Sequence, residues 1–296
     1  MKQFLTIIIT LALLLTGCSA ADPVIEAADK VFELARTQYA LMDSALGEGE
    51  FPRTTDREGN LRTSDVGWWC SGFYPGSLWY IYEYTSNEQI KERADVFTSF
   101  MENERHNTGT HDIGFMVYCS YGNSHRLFPS EEKTQIMIDA ADALCTRFSP
   151  VTGCIKSWDH KEDIGWFFPV IIDNMMNLEL LLWAWQHTGD SKYLDVATTH
   201  ANTTMKNHFR EDHSTYHVVN YDPETGDVAF KGTFQGLSDD SSWSRGQGWG
   251  LYGYTVMYRF TNDPVYLKKA QDIAKYIMSY KPMPEDKIFL WDYKAP

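Results

Sequence analysis

No block of basic residues interrupts this chain of 296 residues, in which 26 Lys and Arg face 40 Asp and Glu for a net charge of −14. A phosphate backbone needs a basic face, so nucleic acid is excluded as a partner. Cysteine is scarce, with five in all. Cys70, Cys119, Cys145 and Cys154 have neither the spacing of a metal site nor that of a disulfide-framed small domain. Cys145 and Cys154 are close enough to close a short loop, and free thiols are an equal expectation. His200, His208, His213 and His217 straddle a helix end and a strand-like stretch, so a metal cluster is not expected, and no cofactor is called for. Hydrophobic runs are also few. The single one, Leu5 to Leu15, follows Lys2 and is too short and wrongly flanked for a membrane span. It ends at Leu15-Thr16-Gly17-Cys18, which looks like a bacterial lipoprotein cleavage site. Residues 1–18 are therefore expected to be a signal peptide, with Cys18 lipidated. The alternative is an ordinary signal peptide with an incidental Cys. The expected location is the cell envelope, lipid-anchored and facing the periplasm, with the membrane as partner through that anchor only.

Aromatic residues are plentiful, with 10 Trp, 17 Tyr and 16 Phe. Ring faces suit a carbohydrate cleft, and they suit helix packing equally. A unit recurs: Thr85-Ser-Asn87 running on to Ala94, Thr188-Gly-Asp190 to Ala197, and Thr261-Asn-Asp263 to Ala270. Each follows an aromatic-rich apolar segment and opens an amphipathic one, with Asn or Asp placed as a helix cap or turn residue. That predicts helical hairpins, repeated at least three times. Helices are expected near 24–46, 70–85, 88–105, 112–121, 131–148, 171–188, 191–209, 245–261 and 264–280. Loops are expected at 50–67, 149–169 and 210–243, with a short hairpin excursion around Tyr216 to Gly226.

The run Trp166-Phe-Phe-Pro-Val-Ile-Ile-Asp173-Asn-Met-Met-Asn177-Leu-Glu179 sets one carboxylate among apolar and aromatic residues. Desolvation favours the neutral form of a carboxyl group, and an acid that keeps its proton near neutral pH can act as a general acid. A buried helix start needs one capping group, and here four polar side chains cluster within seven residues. Three further clusters are Trp68-Trp69-Cys70-Ser71-Gly72-Phe73, His111-Asp112-Ile113-Gly114-Phe115 and Trp243-Ser244-Arg245-Gly246-Gln247-Gly248-Trp249. Each is expected where the first helix of a hairpin begins. Closing the hairpins into a ring would bring Asp112 and Asp173 to one cleft lined by Trp. Two carboxylates flanking a sugar are the usual glycosidase arrangement. For Asp112 a plain helix cap is an equal expectation, and for Arg245 the competing role is pairing with Asp239 or Asp240.

Together and in order, Trp69-x-x-Gly-Phe-x-x-Gly, His111-Asp-x-Gly-Phe, Asp173-Asn-x-Met-Asn and Trp243-x-Arg-Gly-Gln-x-Trp resemble the unsaturated glucuronyl hydrolases of glycoside hydrolase family 88, from about Ile25 to Pro296. The resemblance implies an all-α, six-hairpin α/α toroid over residues 24–296. It implies a substrate, an oligosaccharide of glycosaminoglycan type with a 4,5-unsaturated uronic acid at its non-reducing end. It implies hydration of that double bond, with Asp173 protonating carbon 4 and helping water to carbon 5. Asp112 would hold the substrate and assist. Trp69, Trp158 and Trp249 would stack or wall the cleft, with His111, His217, Gln235 and Arg245 as polar contacts. Family members continue through further helices after a Trp-Asp segment like Trp291-Asp292. About nine of twelve helices are therefore expected here, with an open toroid and poor solubility or weak activity. Two other expectations stand beside this one: an unsaturated rhamnogalacturonyl hydrolase on the same fold, and a non-catalytic glycan-binding lipoprotein.

Overall fold

The computed structural model describes residues 22–280, 284–286 and 288–296; Cys18 lies outside them. The chain divides between Ala45 and Leu46 into two compact units. In the first, helix α1 (Pro23–Ala45) buries none of its residues.

In the second unit, four helical hairpins follow one another. They are α2 (Phe73–Thr85) with α3 (Glu88–Phe100), a π-helical segment (Gly114–Gly122) running through α4 (Asn123–Leu127) to α5 (Glu131–Cys145), α6 (Asn174–Thr188) with α7 (Ser191–Asn207), and α8 (Ser244–Thr261) with α9 (Pro264–Ser279). The first members pack side by side: α2 on the π-helix, the π-helix on α6, and α6 on α8. Residue patterns explain which helix lies inside. In α6, buried positions run from Asn174 through Leu178 and from Leu180 through Leu182, so nearly every face is covered. In α7 only Tyr193, Ala197, His200, Ala201 and Thr204 are buried, a single stripe at helical spacing.

The recurring Thr-x-Asn/Asp unit is a two-residue helix-to-helix turn. Thr85, Thr188 and Thr261 each donate a hydroxyl hydrogen bond to the carbonyl four residues back. The same hydroxyls accept from the backbone N–H of Asn87, Asp190 and Asp263. Between them, Ser86, Gly189 and Asn262 take left-handed conformations with φ of 51°, 74° and 56°, which end the first helix. Asn87, Asp190 and Asp263 then cap the second helix through their side chains. Every contact of the turn lies within a few residues, which is why it is legible in the sequence.

Strands depart from the expected pattern. The expected loop 50–67 contains a hairpin, β1 (Phe51–Thr55) with β2 (Leu61–Ser64), closed by Asp56, whose carboxylate accepts the N–H groups of Glu58 and Asn60. A short ladder joins β3 (Phe148–Ser149) to β4 (Cys154–Ile155). The excursion near Tyr216 is larger than expected. β5 (Phe168–Ile171), β6 (Val218–Tyr221) and β7 (Val228–Gly232) form an antiparallel sheet in that order. β5 lies in a stretch expected to be loop and the start of a helix. Its partner is about fifty residues away, with Phe168 opposite Tyr221 and Ile171 opposite Val218. Pro169 is tolerated because β5 is an edge strand. The helix expected from 171 therefore begins only at Asn174. The segment expected as an α-helix over 112–121 is wound as a π-helix, a form frequent at functional sites.

Candidate active site

The first turns of the inner helices carry the residues singled out above. Asp173 stands at the N-cap position of α6 but its side chain caps nothing. Its carboxylate is buried, and Oδ2 has no hydrogen-bond partner among the described residues. Capping therefore does not account for this Asp. Nε2 of His217 lies 3.5 Å from Oδ2. His217 is itself buried and its Nδ1 accepts the backbone N–H groups of Phe234 and Gln235, at 3.1 and 3.2 Å. An imidazole nitrogen that accepts carries no proton. In the neutral ring the proton is therefore on Nε2, the nitrogen on the Asp173 side, which has no hydrogen-bond partner among the described residues.

Asp112 has a similar neighbour. Nε2 of the buried His111 lies 3.2 Å from its Oδ1, and Thr110 donates a hydroxyl hydrogen bond to its Oδ2 at 2.8 Å. On the far side of the ring, Nδ1 meets the Ser157 hydroxyl at 3.4 Å. Ser157 Oγ accepts the N–H of Ile171, so its own proton is free to go to His111 Nδ1. The Asp112 side chain is tied to Thr110 and His111, not to an N–H of the helix it precedes.

Ser157 joins the two neighbourhoods, meeting His111 on one side and the Ile171 N–H, two residues before Asp173, on the other, and ring contacts extend the Asp173 side. His217 packs on Trp243 at 4.7 Å and on Trp158 at 6.2 Å. The Arg245 guanidinium lies 4.4 Å from the Trp243 ring centre and 5.0 Å from that of Trp69. Trp69 meets Phe115 at 5.5 Å, and Phe115 meets Trp249 at 5.1 Å. Trp158 continues into an aromatic wall with Trp166, stacked at 6.4 Å, and Phe234 at 5.2 Å. Arg245 does not pair with Asp239 or Asp240. Asp240 binds Lys294 at 2.7 Å, and Asp239 accepts the N–H of Thr233. Desolvation beside the indoles lowers the Arg245 pKa and the Asp173 carboxylate opposes that shift. A guanidinium stays charged through such a shift.

The predicted residues thus come together with one change of role. Gln235 is exposed, and what it contributes to this network is its backbone N–H, which fixes the His217 tautomer. Trp243, Phe115, Ser157 and Asn177 act here without having been singled out as site residues. Trp243, Phe115 and Asn177 lay inside recognised motifs. Ser157 left no signal, because its partners are 46 and 14 residues away. The other histidines do not gather with His217 into a metal site. His200 accepts the Ile155 N–H, His208 contacts the Val170 carbonyl, and His213 faces Asp272. All four later cysteines are free thiols.

Asn177 links the helices that bear the two carboxylates. Its Oδ1 accepts the Phe115 N–H at 2.9 Å. A Cβ on Gly114 would sit 2.6 Å from that oxygen and 2.7 Å from the Asn177 Cα. The amide could swing away only by giving up the Phe115 N–H, and the Cα cannot yield without moving the helix backbone. Gly114→Ala is therefore expected to destabilise the fold by about 2 kcal/mol. Urea unfolding measures this, and an unchanged midpoint would contradict the packing described.

A mostly helical hairpin fold with two carboxylates, an arginine that makes no ion pair among the described residues and a wall of tryptophans has the architecture of a sugar-processing enzyme. The model of Glycosyl Hydrolase Family 88 matches residues 48–280, and the chain belongs to that family. It is 45% identical over 229 residues to the unsaturated glucuronyl hydrolase of Formosa agariphila, covering 77% of this chain. The chain spans 57% of that relative's length. A solved unsaturated glucuronyl hydrolase specific for heparin superposes with a TM-score of 0.86 at 42% identity, over 90% of this chain and 71% of the other. Another, a mutant from Streptococcus agalactiae complexed with dGlcA-GalNAc6S, superposes with a TM-score of 0.72 at 30% identity, over 90% of this chain and 65% of the other. The similarity to solved structures supports the α/α toroid expected from the motifs.

Proposed function

We propose that the protein removes a 4,5-unsaturated uronic acid from the non-reducing end of lyase-generated oligosaccharides by hydrating the double bond. One observation carries this: a buried carboxylate, Asp173, with an oxygen free of hydrogen-bond partners among the described residues, beside His217 and within electrostatic reach of Arg245. The bond to be attacked is a vinyl ether, in which the ring oxygen enriches carbon 4. Protonation there is protonation of carbon, and it needs a well-placed acid in surroundings that exclude water. The Asp173 carboxyl supplies the proton, and positive charge develops at carbon 5, shared with the ring oxygen. Water adds to carbon 5 and gives its proton to the Asp173 carboxylate, which restores the acid. The product is a hemiketal. It opens, and the anomeric carbon, now a hemiacetal, releases the following sugar.

The other residues have matching tasks in this scheme. His217 Nε2, 3.5 Å from Asp173, stabilises its carboxylate form after each proton transfer. Asp112, steadied by His111 and Thr110, accepts hydroxyl hydrogen bonds from the sugar. Arg245 forks onto the uronate carboxylate. Trp69, Trp158 and Trp249 offer faces and edges to the sugar rings. The direct test incubates the protein with an unsaturated uronyl disaccharide and follows the ultraviolet absorbance of the conjugated double bond. Loss of absorbance with release of the second sugar is expected. Release of that sugar with the absorbance intact would mean ordinary displacement at the anomeric carbon, and the hydration scheme would be wrong.

A further inference from the structure

Asp292, in the Trp291-Asp292 segment, is a fully buried carboxylate that the proposed reaction does not use. Its Oδ2 accepts the Leu237 N–H at 2.9 Å and the Ser241 hydroxyl at 2.7 Å. Its Oδ1 accepts the Lys294 N–H at 2.8 Å. The Lys294 ammonium itself turns to Asp240, at 2.7 Å. Burying a carboxylate is costly unless a cation or hydrogen bonds compensate, and here hydrogen bonds do so. Two of the three donors belong to one loop, residues 233–242, which follows β7.

Apolar packing covers only part of that loop, in which Phe234 and Leu237 stay 49% and 46% exposed. Its shape comes from bonds within it: Thr233 N–H to the Asp239 carboxylate, Gly236 N–H to the Thr233 hydroxyl and Ser238 N–H to the Ser241 hydroxyl. From outside, Arg210 donates to the carbonyls of Asp239 and Ser241 at 2.8 and 3.0 Å, and Asp292 takes Leu237 and Ser241. A Cβ on Gly236 would lie 2.6 Å from Thr233 Oγ1 and 3.0 Å from Asp292 Oδ2, so the chain passes the carboxylate without slack. The two residues before Gly236 are Phe234 and Gln235, whose N–H groups bind His217 Nδ1 at 3.1 and 3.2 Å. Just past the loop, Trp243 is bridged to Asp292 through the backbone and packs on the His217 ring at 4.7 Å. These two contacts of the His217 ring thus lead to Asp292. A loop shift of about 1 Å would carry both N–H groups out of hydrogen-bond range. Nδ1 would then be open to the proton, and Nε2 would present a lone pair on the Asp173 side.

We infer that Asp292 is a positioning residue: by holding the 233–242 loop it keeps the His217 proton on Nε2, beside Asp173. Its role in the reaction rests on the function proposed above. All three partners of the carboxylate are donors, so an amide in its place, turned either way, sets N–H against N–H. The test compares the full chain with three variants. Asp292→Asn removes the carboxylate, and Gly236→Ala wedges a methyl group between the loop and that carboxylate. Asp240→Ala removes only an exposed ion pair of the same loop. Nitrogen NMR of histidine-labelled protein at about pH 8, above the ordinary histidine range, reads the tautomer. The His217 signals are those absent from His217→Gln. Kinetics on an unsaturated uronyl disaccharide give kcat and KM. The parent is expected to show a bare Nδ1 and a protonated Nε2. Asp292→Asn and Gly236→Ala are expected to mix the tautomers and to lower kcat about tenfold with KM within about twofold, the worth of one polar contact to a charged group. Asp240→Ala is expected to match the parent. Where Asp292→Asn does not fold, Gly236→Ala decides. A merely structural Asp292 would lower the urea midpoint and leave tautomer and kcat alone, and that result overturns the inference. So does a parent with its proton on Nδ1, or a tautomer that changes while kcat does not. A parent that turns over no disaccharide sinks the proposed function instead, and the tautomers still decide whether Asp292 sets His217.

Discussion

Asp173→Asn is expected to lower kcat by about three orders of magnitude, within the range of roughly 10²–10⁴ for removing a general acid. That is about 4 kcal/mol of barrier. The amide is nearly the same shape as the acid, and the Asp173 side chain makes no capping hydrogen bond that would be lost. No hydrogen bond to the free carboxylate oxygen is lost either, so the geometry around position 173 survives. What the amide cannot do is give a proton to carbon. Affinity for an unsaturated disaccharide is expected to change by only a few-fold, because binding rests on Arg245 and the aromatic wall. Rates measured from the decay of the double-bond absorbance decide the matter. A variant retaining a tenth or more of the parent kcat would show that the proton comes from another group.

Acidification is expected to unfold the protein between about pH 6.5 and pH 4 through two histidines outside the reacting cleft. His200 and His208 are fully buried. Desolvation lowers His200 to about 3 and His208 to about 4, with neighbouring charged groups adjusting both. In the unfolded chain both protonate near pH 6.5. Below that pH the unfolded state binds protons that the native state refuses, so stability falls as pH falls. Each histidine contributes a slope of about 1.4 kcal/mol per pH unit, and the two together remove about 4 kcal/mol by pH 5. A domain's whole stability is of order 5–15 kcal/mol. The slope ends only as the native rings take up their own protons, near pH 4 and pH 3.

The same two contacts connect stability to the site. His200 Nδ1 accepts the Ile155 N–H, and His208 Nε2 meets the Val170 carbonyl. They hold β4 and β5, the strands on either side of Trp158 that lead to Asp173. Protonating His200 at Nδ1 would set two N–H groups against each other and release β4. Urea midpoints measured at pH 7.5 and pH 5 should differ by this amount. His208→Gln keeps a donor near the Nε2 position and His200→Asn keeps an acceptor near Nδ1. Each replacement should halve the pH dependence even where it lowers stability overall. A midpoint independent of pH over this range would mean that these rings are not held neutral by the fold.

The hairpins were legible because their information is local. Thr85, Asn87 and the residues that follow exchange hydrogen bonds within a single turn, and the pattern returns at Thr188 and Thr261 because the same short-range physics returns. The placing of motifs at the first turns of the inner helices was legible for a similar reason. The apolar run of α6 admits one layout, an interior helix, and its polar cluster can only be at the buried end. Asp173 among apolar neighbours was visible as composition, and so was Arg245 between tryptophans in its motif.

The sequence by itself therefore determined the helical class, the hairpin repeat, the turn chemistry and the presence of two carboxylates and an arginine in aromatic surroundings. Only the tertiary structure decided what those groups face. β5 exists because residues about fifty positions away supply its ladder, and no local preference encodes that partner. The tautomer of His217 depends on N–H groups of Phe234 and Gln235 brought across by β7. Ser157 meets His111 and Asn177 reaches the π-helix, each contact crossing a gap in sequence that spacing cannot read. Hydrogen-bond direction and ring stacking are decided by distance and angle in space, and these appear only when the hairpins and the small sheet are packed together.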